Sequence, residues 1–133
     1  MAYLTTKRLV FAQVLVCFGC CCGQTGRGRP EVPVEFLKSE WRKRGLMKRI
    51  QLTISGCLGP CDVPNVVLIV TGQNTLWLGN LKGSDYQELM DWAVHCNQMS
   101  RAMEVPKSLR VHEIAAPFIP QTRDWDFNGQ RGR

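Results

Sequence analysis

The sequence predicts an α/β chain in which a mixed four-stranded sheet is flanked by two helices and followed by a flexible C-terminal tail. Three observations carry that expectation. Two apolar, β-branched runs, Gln13–Val16 and Ile50–Ile54, each lead into a glycine-flanked cysteine turn. Two stretches of helical period, one around Leu37 and one around Leu89, separate and follow the strands. Beyond Pro106 the periodicity fades into scattered Pro, Gly, Asn and Arg. At 133 residues and 44% hydrophobic composition, one domain can bury a core without disulfides.

Residues 1–12 read as a short, loosely ordered lead. Gln13–Val16 is a central strand that delivers Cys17 at its C-terminal end. From Gly19 to Pro30 the density of Gly, Cys and Arg specifies a loop. Pro33 suits the first position of a helix carrying Val34, Leu37 and Trp41 on one face, and Gly45 is its stop. The opposite face carries Lys38, Arg42, Lys43 and Arg44. Lys48–Ser55 then alternates, with Ile50, Leu52 and Ile54 together on one side. Asn65–Val70 is a continuous apolar strand, Thr71–Asn74 a turn, and Thr75–Leu78 the hairpin partner. Ser84-Asp85-Tyr86-Gln87 has the form of a capping box, and behind it Tyr86, Leu89, Met90, Ala93 and Cys96 make an apolar stripe reaching about Met99. The order β-α-β-β-β-α is that of a minimal thioredoxin-like fold. The expected division is a domain over 1–105 and a largely flexible extension over 106–133, in which Leu109–Ile114 alone has extended character. There is no internal repeat.

The formal net charge of +6 suits nucleic acid, an acidic partner protein or an anionic cofactor, without choosing among them. Lys7 and Arg8 ahead of Leu9–Phe18 imitate a secretory leader. Gln13 interrupts that run, however, and Cys17-Phe18-Gly19 is a poor cleavage segment. The run is also too short to cross a bilayer. A cytoplasmic protein with no membrane association is therefore expected.

Seven cysteines is an odd number, and four of them (Cys17, Cys20, Cys21 and Cys22) fall within six residues. That crowding defeats a disulfide framework and points to a reduced compartment with a metal or redox role. The second cluster, Ser55-Gly56-Cys57-Leu58-Gly59-Pro60-Cys61, also ends a strand. Two such turns side by side could hold four thiolates around one soft metal centre, as an iron–sulfur cluster requires. Gly19, Gly23, Gly56 and Gly59 let backbone N–H groups approach the sulfurs, and Arg27 and Arg29 could offset a cluster's negative charge. Structural zinc takes four thiolates too, although the usual Cys-x2-Cys knuckle is absent from the second half. A dithiol redox motif at Cys17-Phe18-Gly19-Cys20 would need a helix after it, where Gly23-Gln24-Thr25-Gly26 stands instead.

Gln13-Val14-Leu15-Val16-Cys17, Cys22-Gly23 and Ser55–Cys61 followed by Asn65-Val66-Val67 together resemble the thioredoxin-like [2Fe–2S] ferredoxins. These are related to the small [2Fe–2S] subunit of respiratory NADH dehydrogenases. The resemblance spans roughly residues 8–100. On the Cys-Cys-Cys-Gly turn and the Trp-bearing helices, the chain looks closest to a bacterial subgroup associated with cobalt chelation and cobalamin synthesis. The resemblance implies a [2Fe–2S] cluster held by Cys17, Cys22, Cys57 and Cys61 and cycling by one electron. It implies a reductase and an acceptor enzyme as redox partners, and a homodimer. The departure from the family pattern is the run Cys20-Cys21-Cys22, where one second ligand is usual. Cys22 is preferred for its spacing from Cys17 and the Gly23 after it, with Cys21 next.

No Ser/His/Asp set, phosphate loop or acid pair competes as an active site, so an electron carrier and not an enzyme is expected. Cys96 belongs to the helix stripe and reads as core. His95 and His112 are isolated and are assigned no metal. Trp41, Trp77 and Trp92 read as core or subunit contact, and Trp125 has no role. Lys38–Arg49 holds six cations and one acid, Glu40: either a solvated helix face or a surface for an acidic redox partner. No aromatic interleaving supports nucleic acid there.

Overall fold

A computed structural model describes residues 3–19 and 21–120. Chain order gives β1 (Ala12–Cys17), α1 (Val34–Lys43), β2 (Ile50–Ser55), β3 (Val67–Thr71), β4 (Thr75–Leu78), α2 (Gly83–Met99), α3 (Lys107–Arg110) and β5 (Glu113–Ile114). Single 3₁₀ turns lie at Thr25–Arg27 and Leu46–Lys48. The sheet runs β2-β1-β3-β4-β5. Its β1–β2 pair is parallel and the other three pairs are antiparallel. Parallel neighbours need a crossover, and α1 supplies it.

The periodicities explain the layers. Val14 and Val16 of the central strand are fully buried, as are Ile50 and Ile69 on its two neighbours. Leu37 and Trp41 of α1 and Tyr86, Leu89, Met90, Ala93 and Cys96 of α2 close over the sheet. Trp41 also donates Nε1–H to the carbonyl of Ile50 at 2.8 Å, tying the end of the crossover to the strand it feeds. At Gly45 the chain turns left-handed (φ 62°), and its N–H bonds to the Arg42 carbonyl. This ends α1 where expected.

Several local expectations are corrected. Among the described residues the sheet has five strands, not four, and a third, short helix follows the two long ones. Lys107–Arg110 buries Leu109 completely, and Ile114 of β5 pairs with Trp77, whose ring meets Phe118 edge-on at 5.9 Å. Thus the first part of the extension expected to be flexible is anchored against β4. A four-residue helix and a two-residue strand are too short to show a period. Residues 121–133, including Trp125, lie outside the described residues.

The start of α2 also differs. The Asp85 carboxylate accepts the N–H of Lys82 at 2.8 Å, so the helix begins at Gly83 and the expected hydroxyl–amide box of Ser84 and Gln87 does not form. A carboxylate fits there because it meets the positive end of the helix. It also pairs with His112 Nε2 at 3.2 Å, and His112 Nδ1 lies 3.1 Å from the Gly79 carbonyl. His112 therefore fastens the β5 edge to α2. Finally, β3 begins at Val67, which leaves Asn65 ahead of the strand. Among the described residues no helix is long and apolar enough to cross a membrane.

Candidate metal centre

The two cysteine turns meet because β1 and β2 run parallel. Cys17 is the register partner of Ser55, so both strands deliver their turns to the same end of the sheet. The N–H of Phe18 bonds to the Ser55 carbonyl at 3.1 Å, extending the ladder one step into the turns. On the other side of β1, the Cys17 N–H reaches the Val66 carbonyl at 3.1 Å.

One recess at this end is lined by Cys17, Cys21, Cys22, Cys57, Cys61 and Val66. All four sequence-predicted ligands therefore line one recess, Cys21 lines it too, and Cys20 lies outside the described residues. Cys17 and Cys22 are buried, Cys21 and Cys61 are half-buried, and Cys57 is exposed. Cys57 Sγ and Cys61 Sγ are 3.1 Å apart. Cys17 makes a thiol contact with Cys22. As the side chains stand, no group of three or more His, Cys, Asp or Glu among the described residues is arranged to hold a metal ion. Arg27 and Arg29 are not among the residues lining the recess.

Backbone donors point into the thiols. The Val66 N–H meets Cys22 Sγ at 3.4 Å, and the Leu58 and Gly59 N–H groups favour charge on Cys17 and Cys57. Gly59 has φ +123°, a backbone state that a side chain would strain. Burial pushes the Cys17 thiol up to about 12, reinforced by its contact with Cys22 and opposed by the Leu58 N–H. The Cys57 thiol moves the other way, lowered by its bond to Cys61 and by the Gly59 N–H. One turn thus disfavours charge on sulfur unless a cation compensates it, and the other favours it.

Two residues at the site were missed from the sequence. Asn65, fully buried, accepts the Gly23 N–H at 2.8 Å through Oδ1 and donates from Nδ2 to the Pro30 carbonyl at 2.9 Å. Its own carbonyl accepts the Leu81 N–H at 3.1 Å. It clamps both ends of the loop that follows Cys22. The available signal was one amide side chain heading an otherwise apolar run. Tyr86, expected only as core, carries a hydroxyl whose ionisation the inner thiols oppose. Burial raises it, and Cys22 and then Cys17 add to the shift. The Asn65 side chain partly opposes that shift, yet among the described residues no group meets hydrogen-bond geometry with the Tyr86 oxygen.

The donor set fits an iron–sulfur cluster chemically: five thiols line one recess, and the Val66 N–H is directed at the sulfur of Cys22.

No family model matches the sequence, and no curated protein matches it. Among solved structures, the wild-type thioredoxin-like [2Fe–2S] ferredoxin from Aquifex aeolicus is similar at 22% identity and a TM-score of 0.53. That match covers 80% of this chain and 99% of that one. A further structure of that ferredoxin is 18% identical with a TM-score of 0.47, covering 85% and 98%. The first likeness shows the fold: the chain has the thioredoxin-like ferredoxin architecture.

Proposed function

We propose that this chain is a one-electron carrier whose [2Fe–2S] cluster is held by Cys17, Cys22, Cys57 and Cys61. The observation that carries the reading is the convergence of these four thiols, from turns forty residues apart in sequence, on one recess fed by parallel strands. The similar ferredoxin architecture agrees with it. Such a cluster, when bound, supplies a one-electron couple. The chain's own part is to supply thiolates and stabilise them. The N–H groups of Val66, Leu58 and Gly59 lower the cost of charge on Cys22, Cys17 and Cys57. The buried Cys17–Cys22 side keeps water away, and the exposed Cys57 side faces outward, where a redox partner would approach.

The electron comes from a reductase and passes to an acceptor enzyme. The sequence resemblance supports an acceptor in cobalt chelation or cobalamin synthesis, a homodimeric state, and a cytoplasmic site of action. The crowding of reduced thiols agrees with the last of these. The test is anaerobic purification followed by iron analysis and spectroscopy. The expected protein is red-brown, has about two irons per chain and gives an EPR signal on reduction. Zinc in place of iron, with no visible absorbance, would overturn the reading.

A further inference from the structure

We infer that the groove between α1 and the outer side of β2 is a docking site for an acidic protein segment carrying apolar anchors. Its floor is apolar: Trp41, Met47, Leu52 and Ile54 line a space of about 460 Å³. Its rim is cationic, with Lys38, Arg42 and Lys48. Of the two acids on this helix, Glu40 is already turned to Lys43 at 3.7 Å and Arg44 at 3.3 Å, and Glu35, in the first turn, makes no ion pair among the described residues. Among the described residues the three rim cations make no ion pair. An apolar floor ringed by uncompensated charge of one sign favours an occupant with the opposite sign and a buried anchor.

The strand edge adds to this. β2 ends the sheet, and its Leu52 N–H is met by Met47 Sδ at 3.4 Å. A thioether is a weak acceptor, and this one sits on an exposed, flexible side chain. An incoming segment would displace it without breaking a strong bond.

The charge pattern also selects the occupant. A second copy docking symmetrically would set this patch against itself, placing Lys38, Arg42 and Lys48 opposite like charges. Nucleic acid would use the cations, but Trp41 is only 1% exposed and offers no stacking surface. An acidic protein segment uses rim and floor together. The groove's Ile54 stands three residues before Cys57, at most about 10 Å of extended chain. Read with the electron-carrier proposal, on which this last step rests, the docked partner lies beside the exposed side of the centre.

The test uses the full chain, as purified with iron, and a fluorescein-labelled, end-capped peptide Glu-Glu-Leu-Glu-Leu-Glu-Glu followed by anisotropy. Saturable binding is expected at about 20 mM salt, weakening roughly tenfold by about 300 mM. Replacing both leucines of the peptide with glycine should cost about tenfold as well. The double variant Lys38→Glu/Arg42→Glu should lose binding, whereas Lys107→Glu/Arg110→Glu on α3, with the same change in net charge, should keep it. Equal binding by the two double variants would overturn the proposal, as would a leucine-free peptide that binds equally well or no saturable binding at low salt. It also falls if Lys38→Glu/Arg42→Glu changes the sedimentation mass, because the groove is then an interface between copies. Displacement of the peptide by a single-stranded oligonucleotide at lower concentration than by unlabelled peptide would reassign the groove to nucleic acid. Iron is measured in each sample, so peptide binding to a protein without iron sinks the electron-carrier reading and leaves the groove intact.

Discussion

Asn65 Oδ1 accepts the backbone N–H of Gly23 at 2.8 Å, joining the start of β3 to the residue directly after Cys22. The same side chain holds the Pro30 carbonyl, so one amide sets both ends of the loop. Asn65→Ala should destabilise the protein by about 2 kcal/mol, since it leaves two part-buried backbone groups without their bonds. Urea unfolding measures this. Gly23→Ala should act on the same loop by another route, because Gly23 has φ +77° and an added Cβ would lie 2.9 Å from the Phe18 ring. A cost of about 1–3 kcal/mol is expected. Both variants should also bind less iron, and a full iron complement in both would show that the loop is not part of the site.

Single serine replacements across the first turn separate the candidates for the second ligand. Cys22→Ser should lose most of its iron, whereas Cys20→Ser and Cys21→Ser should keep about two per chain. Cys17→Ser, Cys57→Ser and Cys61→Ser should behave like Cys22→Ser. Retention of iron by Cys22→Ser together with its loss from Cys21→Ser would move the ligand by one position, which the shared recess permits.

Trp41 closes the crossover through packing and through one bond to Ile50. Trp41→Phe keeps most of the volume but leaves the Ile50 carbonyl unmet, for an expected loss of about 1–2 kcal/mol. Trp41→Ala should lose about 3–5 kcal/mol. Near-equal midpoints for wild type and Trp41→Phe in urea would mean that packing alone matters there.

Cys96 gives a pH dependence away from the centre. Burial raises its thiol, with the Met103 N–H, 3.2 Å from Sγ, opposing part of the shift. In the unfolded chain the thiol ionises near 9.0, while in the folded chain it stays protonated to higher pH. Its contribution is therefore fully present below that value and is lost as pH rises above it. Urea midpoints followed upward from about pH 7.5 should fall more steeply for wild type than for Cys96→Ala above pH 9. Parallel curves would show that Cys96 does not titrate differently in the two states.

Much of this architecture was legible where a regular period carried it. Ile50, Leu52 and Ile54 alternate on β2, Leu37 and Trp41 stand one turn apart on α1, and both cysteine turns follow strands that such a chain would make parallel neighbours. The convergence of Cys17 and Cys57 could be anticipated because it follows from the ends of two adjacent strands. The Asn65 clamp could not, since its partners Gly23 and Pro30 lie far away in sequence and no local pattern encodes the pairing. The same holds for His112, which bridges Gly79 and Asp85; β5 was anticipated only as the extended character of Leu109–Ile114, and its pairing with Trp77 of β4 was not. The start of α2 was misplaced because Ser84, Asp85 and Gln87 all suit a helix N-terminus, and Asp85 won it by reaching Lys82.

The register between Cys17 and Ser55 acts as a vernier for the whole recess. Strand positions on one face repeat every two residues, so the smallest slip that keeps β2 facing the core is a two-residue step of about 6.6 Å. Cys57 and Cys61 would then be carried past Cys17 and Cys22 by more than twice the 3.1 Å that now separates the outer pair of sulfurs. Intermediate alignments would turn Leu52 outward. The ladder therefore offers the two halves one alignment or none, so chains that pair wrongly assemble no four-thiol set.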